Sequence, residues 1–276
     1  MKTFLALILV ASAALAQDVE KQLKRVSHNA NFAVLPVWYT DPSDRTKSGV
    51  VGTAFLVTPD GYFITAAHVL EHYKSQSADM MVSLRQRSRD MVGIPFDLIE
   101  KDDTHDLALC KTATPLKFVA RKENPGTERP VASLHIASSA PVAGEFIAIA
   151  GFPLGSWSPA IQFGNVAAIY TTNPNSGRVP AGQRDLIQIS ASGNMGNSGS
   201  PVIELDTGNV IGVIVQAQPA PLFGPLSNSL PLAQSSGIML AVPASWVNDL
   251  LKRHGVTSIA QQPPEGHTSY DPLPEK

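Results

Sequence analysis

The sequence predicts an all-β protein, built as barrels or a sandwich and finished by one helix. Three observations carry this. Short apolar runs rich in Val, Ile, Phe and Tyr recur from about Phe32. Clusters of turn residues separate them, as in DPSD, PDG and KDDTHD. A polar break, KENPGTERP at 122–130, divides the runs into two sets of about six. With 276 residues, 43% hydrophobic and 16% charged, the chain can bury a large core.

The N-terminus reads MKTFLALILVASAALAQ: Lys2, an apolar run from Phe4, then Ala14-Leu15-Ala16 before Gln17. A positive start, a greasy middle and a small-x-small end predict a signal peptide over 1–16, cleaved before Gln17. The apolar run is short for a membrane anchor. The mature chain is therefore expected to be exported, periplasmic or extracellular, and free of the membrane after cleavage. Val19, Leu23 and Val26 then recur at helical spacing, which predicts a helical segment over 17–31.

Residues 32–121 hold the first set of runs: AVLPVWYT, TAFLVT, YFITAAHVL, MMVSL, DLALCKT and FVA. Asp60-Gly61 lies between two of them and predicts a hairpin. Residues 122–130 form the linker. Residues 131–243 hold ASLHIA, EFIAIAGF, GNVAAIYTT, DLIQIS, SPVIEL, NVIGVIVQA and GIMLAVP. The loop QPAPLFGPLSNSLPLAQSS separates the last two and is long and Pro-rich. SWVNDLLKRHG switches to helical spacing and predicts a helix over 244–255, with Ser245 as N-cap and Gly255 as stop. Residues 256–276 are expected to be a disordered tail.

Composition excludes several partners. The net charge is −2 and no segment concentrates Lys and Arg, so neither nucleic acid nor an anionic membrane is an expected partner. The one cysteine, Cys110, rules out an intramolecular disulfide. It lies in the apolar run LALCK and reads as a buried small hydrophobe.

Three segments carry chemistry. His68 ends the run ITAAHVL, Asp106 opens DLALC, and Ser198 sits in GNMGNSGSP. The order His, Asp, Ser is one in which a nucleophilic triad is built. A serine hydroxyl needs a base within hydrogen-bond reach. Histidine titrates near neutrality and can take and return the proton. A buried aspartate fixes the imidazole tautomer and stabilises its protonated form. The glycines around Ser198 let the backbone N–H groups of Gly196 and Ser198 aim at one oxyanion.

GTAFLVTPDGYFITAAHVL, HDLALCK, GNSGSP, VIGVIV and GIMLAVPASWVNDLL, in this order, resemble the trypsin-like serine proteases of chymotrypsin fold. The bacterial HtrA/Deg branch is the nearest pattern, and the likeness covers about residues 32–253. It implies two six-stranded antiparallel β-barrels with the site in the cleft between them. It also implies His68 as base, Asp106 as acid, Ser198 as nucleophile, and Gly196 and Ser198 as oxyanion donors. Polypeptides would be the substrates, without metal or cofactor. The primary pocket would have Ser192 at its floor and walls from Val215, Gln216, Ala217 and from Gly237 to Met239. None of these is charged, which implies a small or medium apolar side chain before the scissile bond.

The sequence departs from that pattern in places. Ser200 stands where HtrA-type proteins usually have glycine, as it does in glutamyl endopeptidases, and with Ser192 it is expected to bear on what is cut. Those enzymes read glutamate with a histidine, and 210–217 contains none. No PDZ domain and no zymogen-type activation site are expected. Two other readings compete. His68-Val-Leu-Glu71-His72 fits a zinc pattern if it lies on a helix. A protease fold that only binds polypeptides is the other, and the same triad would also permit ester hydrolysis.

Overall fold

The computed structural model describes residues 2–74, 79–85, 91–113, 117–118, 129–130, 132–156, 158–171, 185–221 and 233–262. The chain begins with helix α1 (Lys2–Ala33), which passes straight through the expected cleavage point. Val26, Ala30, Phe32 and Ala33 of its C-terminal part are buried, and Val19 and Leu23 pack against the same core. The helical spacing read over 17–31 is thus the face that docks. Arg25 fastens it, donating from Nη2 to the carbonyls of Leu205 and Asp206, each at 2.9 Å. Among the described residues, no helix is long and apolar enough to cross a membrane.

The first β unit comprises β1 (Val34–Thr40), β2 (Ser48–Leu56), β3 (Tyr62–Ala66), β4 (Met80–Arg85), β5 (Met91–Ile94), β6 (Phe96–Asp102) and β7 (Leu107–Thr112). They form one antiparallel sheet in the order β5-β4-β1-β2-β3-β7-β6. The predicted hairpin at Asp60-Gly61 joins β2 to β3, with Leu56 opposite Phe63. β5 and β6 are the two edges of this sheet, yet Pro95 alone separates them in the chain. The sheet therefore curls until its edges meet at one residue. A proline there offers no N–H to continue a ladder.

This unit differs from a closed six-stranded barrel in a specific way. The expected strand FVA contributes only β8 (Lys117–Phe118), paired with β9 (Arg129–Pro130) in a separate small sheet. The strand actually present, FDLIEKD, carries four charges, three of them acidic. Its burial alternates strictly, with Phe96 inward and Asp97 out. Charges suit an edge strand, because they discourage pairing with other chains, and they also hide it from an apolar-run search.

The second unit is a closed six-stranded barrel in the order β10-β11-β12-β15-β14-β13. Its strands are β10 (Phe146–Gly151), β11 (Ala160–Thr171), β12 (Asp185–Ser190), β13 (Pro201–Glu204), β14 (Val210–Pro221) and β15 (Ala233–Pro243). ASLHIA is not one of them. It straps the two units together: Leu134 N–H donates to Leu56 O in β2, and Ile136 bridges Val210 in β14. The loop expected from Gln218 is shorter than the sequence suggests. β14 and β15 extend into it, with Pro219 opposite Ser235 and Pro221 opposite Ala233, and 222–232 lie outside the described residues.

One continuous apolar core joins the units. Phe55, Phe63, Ile64, Leu107 and Leu109 fill the first, and Ile147, Ile149, Leu186 and Ile187 fill the barrel. Cys110 is buried in the first unit, where desolvation pushes its thiol far above its ordinary range, as its apolar context implied. Helix α2 (Ala244–Arg253) buries Ala244, Val247, Leu250 and Leu251. Pro243, not Ser245, holds the N-cap position, so no side chain caps the helix there. Gly255 ends it as expected: its N–H donates to Lys252 O while Val256 N–H donates to Leu251 O, a Schellman closure. The tail does not leave the surface at once. Ile259 N–H donates to Val57 O and Gln261 pairs with Ser133; residues 263–276 lie outside the described residues.

Trp246 of α2 stacks on His105, with ring centroids 3.8 Å apart. Beside it, Arg253 donates to Glu100 at 2.7 Å and to Asp102 at 3.3 Å, and His254 pairs with Glu100. The Arg253 hydrogen bond holds the Glu100 carboxyl below its ordinary range. A carboxylate with a lowered folded pKa stabilises above its unfolded pKa, and that stabilisation is lost as pH falls through the folded value. Arg253→Ala is therefore expected to destabilise by up to about 1 kcal/mol at neutral pH. Urea titrations should show the difference from the parent protein vanishing as Glu100 protonates.

Candidate active site

β3 and β7 are neighbours, with Ala66 opposite Leu107. That pairing brings the residue two positions past β3 and the residue just before β7 to the same end of the sheet. These are His68, in a four-residue 3-10 turn (Ala67–Leu70), and Asp106. Asp106 has φ 57°, in the left-handed region. Aspartate tolerates this better than most residues, because its short side chain can bond locally. It does so here. Asp106 Oδ1 accepts the backbone N–H of His68 at 2.9 Å, and the Asp106 carbonyl accepts Ala67 N–H at 3.0 Å. The carboxylate then meets His68 Nδ1, with Oδ2 at 2.8 Å and Oδ1 at 3.1 Å. The acid is mostly covered, at 17% exposure of its side chain, and the imidazole is 46% exposed. A covered carboxylate holding Nδ1 leaves Nε2 as the ring atom open to other chemistry.

The same turn speaks against the zinc reading. The segment is a single 3-10 turn, Ala67–Leu70, that ends before His72, rather than the α-helix that the zinc pattern needs. His72 instead stacks on Tyr39, with centroids 4.8 Å apart.

Ser198 arrives from the barrel, in the turn before β13. Thr53 of β2 reaches across to this turn. Its N–H donates to Ser198 O at 2.8 Å, and its hydroxyl donates to Gly196 O at 2.7 Å. Gly199 N–H donates to Ile214 O at 2.7 Å, which ties the turn to its own barrel. A side chain on Gly52 would lie 2.6 Å from Val69 and 3.1 Å from Ser198 O, so the histidine turn and the serine turn flank one point of β2. Among the described residues, the N–H groups of Gly196 and Ser198 have no acceptor in the protein. The Ser198 hydroxyl is half-buried and makes no hydrogen bond to His68.

The glycines have different tasks. Gly196 (φ 95°) lies on Phe152 O, and Gly199 (φ 85°) lies on Thr53 O with Ala66 N 3.0 Å from where a Cβ would sit. Both positions demand the left-handed region and also lack room for a methyl. Gly199→Ala should cost about 3 kcal/mol or more and lower Tm by roughly 6–12 °C in a thermal melt.

The expected pocket residues lie together on β14, β15 and the segment before the serine turn. Ala217 pairs with Met239 across β14 and β15, with Gln216 opposite Leu240. Val215 and Met239 are buried, whereas Gln216 is exposed. Gly237 (φ 76°) donates its N–H to Ser235 Oγ at 3.3 Å, as does Gly193 at 3.1 Å. Gly193 packs where a Cβ would stand 2.5 Å from Met239 Cγ and 2.9 Å from Ala217 Cβ. The expected walls are thus in contact. Ser192, the expected floor, is exposed, and its carbonyl accepts Gln162 Nε2 at 2.7 Å. Ser200 is fully buried, with its hydroxyl against Gly151. Sequence reasoning missed Thr53. The only signal was a hydroxyl residue within the buried run TAFLV.

A curled β unit and a β-barrel, with a His–Asp pair on one and a glycine-bounded serine turn on the other, define the chymotrypsin-like class of folds. The sequence profile described as a trypsin-like peptidase domain matches residues 52–213, and the chain belongs to that family. It is 30% identical over 243 residues to serine protease HTRA4 of Mus musculus, covering 86% of this chain and 40% of the relative. It is 29% identical over 173 residues to a probable periplasmic DegP-like serine endoprotease of Pseudomonas savastanoi, covering 63% of this chain and 30% of that one. The chain thus spans less than half the length of these curated relatives. Among solved structures, the active form of the Rv3671c protease of M. tuberculosis aligns with TM-score 0.56 at 19% identity, over 86% of this chain and 87% of that one. The HtrA-type protease AlgW with a tripeptide aligns at TM-score 0.55 and 23% identity, over 85% and 64%. At these identities the structural likeness speaks for the fold.

Proposed function

We propose that the protein is an exported serine endopeptidase acting through His68, Asp106 and Ser198. The observation that carries this is the Asp106–His68 Nδ1 contact at 2.8 Å, formed where β2 also holds the Ser198 turn. In this reading, Asp106 fixes the imidazole with its proton on Nδ1. His68 Nε2 takes the proton from Ser198 Oγ as the oxygen attacks a peptide carbonyl. The N–H groups of Gly196 and Ser198 receive the oxyanion. The imidazolium then protonates the leaving amine, leaving an acyl-enzyme, and water enters by the same base to release the acid. Neither metal nor cofactor takes part. The uncharged lining of Val215, Ala217, Gly237 and Met239 supports a small or medium apolar side chain before the scissile bond.

Export rests on the leader-like residues 1–16 and on the periplasmic description of a relative. The mature protein should begin at Gln17 when its N-terminus is sequenced.

A fluorophosphonate probe should label the mature protein on the peptide containing Ser198, and the enzyme should cleave a peptide library with activity unaffected by chelators. No labelling and no cleavage would leave the second reading, a protease fold that binds polypeptides without turnover. The unlinked Ser198 hydroxyl is the observation that favours it. Loss of activity with a chelator would instead revive the zinc reading.

A further inference from the structure

Thr53 is fully buried at the point where β2 crosses the serine turn, and every polar atom it has is committed. Its N–H donates to Ser198 O at 2.8 Å, and its carbonyl accepts Thr65 Oγ1 at 2.7 Å. Its hydroxyl oxygen accepts Phe152 N–H at 3.1 Å, so its single hydroxyl proton goes to Gly196 O, at 2.7 Å.

The turn 195–199 consists of a few peptide planes whose tilts decide where its N–H groups point. All described peptide bonds are trans, so within each plane the carbonyl and the following N–H point oppositely. Leu154 N–H holds Met195 O at 2.7 Å, which sets the plane carrying Gly196 N–H. Thr53 N–H holds Ser198 O and Gly199 N–H holds Ile214 O, which sets the plane after Ser198. The plane between Gly196 and Asn197 lies between the two proposed oxyanion donors. Thr53 Oγ1 holds its carbonyl, and Asn197 N–H reaches Asn194 O at the longer distance of 3.2 Å. The next plane carries the Ser198 N–H, with Asn197 O accepting Ser200 N–H at 2.9 Å, so the Gly196–Asn197 plane is the link between the two donor-bearing planes.

We propose that Thr53 is a positioning residue: its hydroxyl fixes the Gly196–Asn197 peptide and couples it to the Phe152 turn, so that the Gly196 and Ser198 N–H groups converge. The proposal rests on the reading of Ser198 as nucleophile.

The test compares three variants with the parent enzyme. Thr53→Val keeps the shape and removes the hydroxyl. Thr53→Ser and Thr53→Ala both lose the methyl, and only Ala loses the hydroxyl. Val and Ala should lower kcat by about 10- to 100-fold with KM within about threefold, because misplacement of oxyanion donors acts on the transition state. Ser should stay within about threefold of the parent in both constants. Hydrogen exchange of the 194–199 amides should quicken in Ala and not in Ser, a readout that needs no catalysis. Should Val fail to fold by circular dichroism, the Ser–Ala pair decides the matter. Equal kcat and equal exchange in Ser and Ala would overturn the proposal, as would parental kcat in a folded Val variant. Failure of the parent enzyme to label at Ser198 sinks the nucleophile reading instead, and the exchange comparison still tests the hold on the turn.

Discussion

Ser198→Ala is expected to abolish fluorophosphonate labelling and to lower kcat by about 10⁶-fold, with the fold intact. The serine side chain stands at a half-buried position, and no hydrogen bond of its hydroxyl holds the structure together. The turn is held by backbone groups, Thr53 N–H on Ser198 O and Gly199 N–H on Ile214 O, which alanine keeps. The melting temperature should therefore move by little, and peptide binding should persist while turnover stops. A labelled Ser198→Ala protein would show that another residue is the nucleophile. Unfolding of the variant would show that the hydroxyl has a structural task that its surroundings do not reveal.

Asp106→Asn comes next in size, at about 10⁴-fold in kcat. The backbone makes asparagine the informative choice. At φ 57° it is among the few residues that fit without added strain, whereas alanine would confound the result. The amide oxygen can take the place of Oδ1 and go on accepting His68 N–H, which anchors the turn. The amide NH₂ then faces Nδ1 as a donor. It forces the imidazole proton onto Nε2, the nitrogen that has to accept the serine proton. Steady-state kinetics on a cleaved peptide should show kcat falling while KM changes by less than about threefold. An undiminished kcat would remove Asp106 from the mechanism.

The segments proposed as catalytic were readable in the sequence because each combines a rare residue with a fixed context. His68 follows an apolar strand, Asp106 precedes one, and the strands that carry them are neighbours. Ser198 was marked by glycines that the backbone needs at 196 and 199. The barrel strands were readable as apolar runs, since both of their neighbours lie in the core. FDLIEKD was not, because this edge strand carries charge on both faces, Asp97 and Lys101 at exposed positions and Glu100 and Asp102 at half-buried ones. Thr53 was not readable either. Its work depends on a contact to residues about 145 positions away, and threonine is at home in any strand. The packing around the expected pocket was not readable for a related reason. Local pattern places Ala217 opposite Met239, but the approach of Gly193 to both depends on how the serine turn settles.

The strands beside His68 and Asp106 lie within residues 62–112, and the contacts that set the serine turn need Ile214. A chain made from its N-terminus thus acquires the His68–Asp106 pairing strands well before the turn bearing Ser198 can be tied down. In the proposed reading, peptide cleavage is therefore acquired late, and a copy truncated before Ile214 should show no fluorophosphonate labelling.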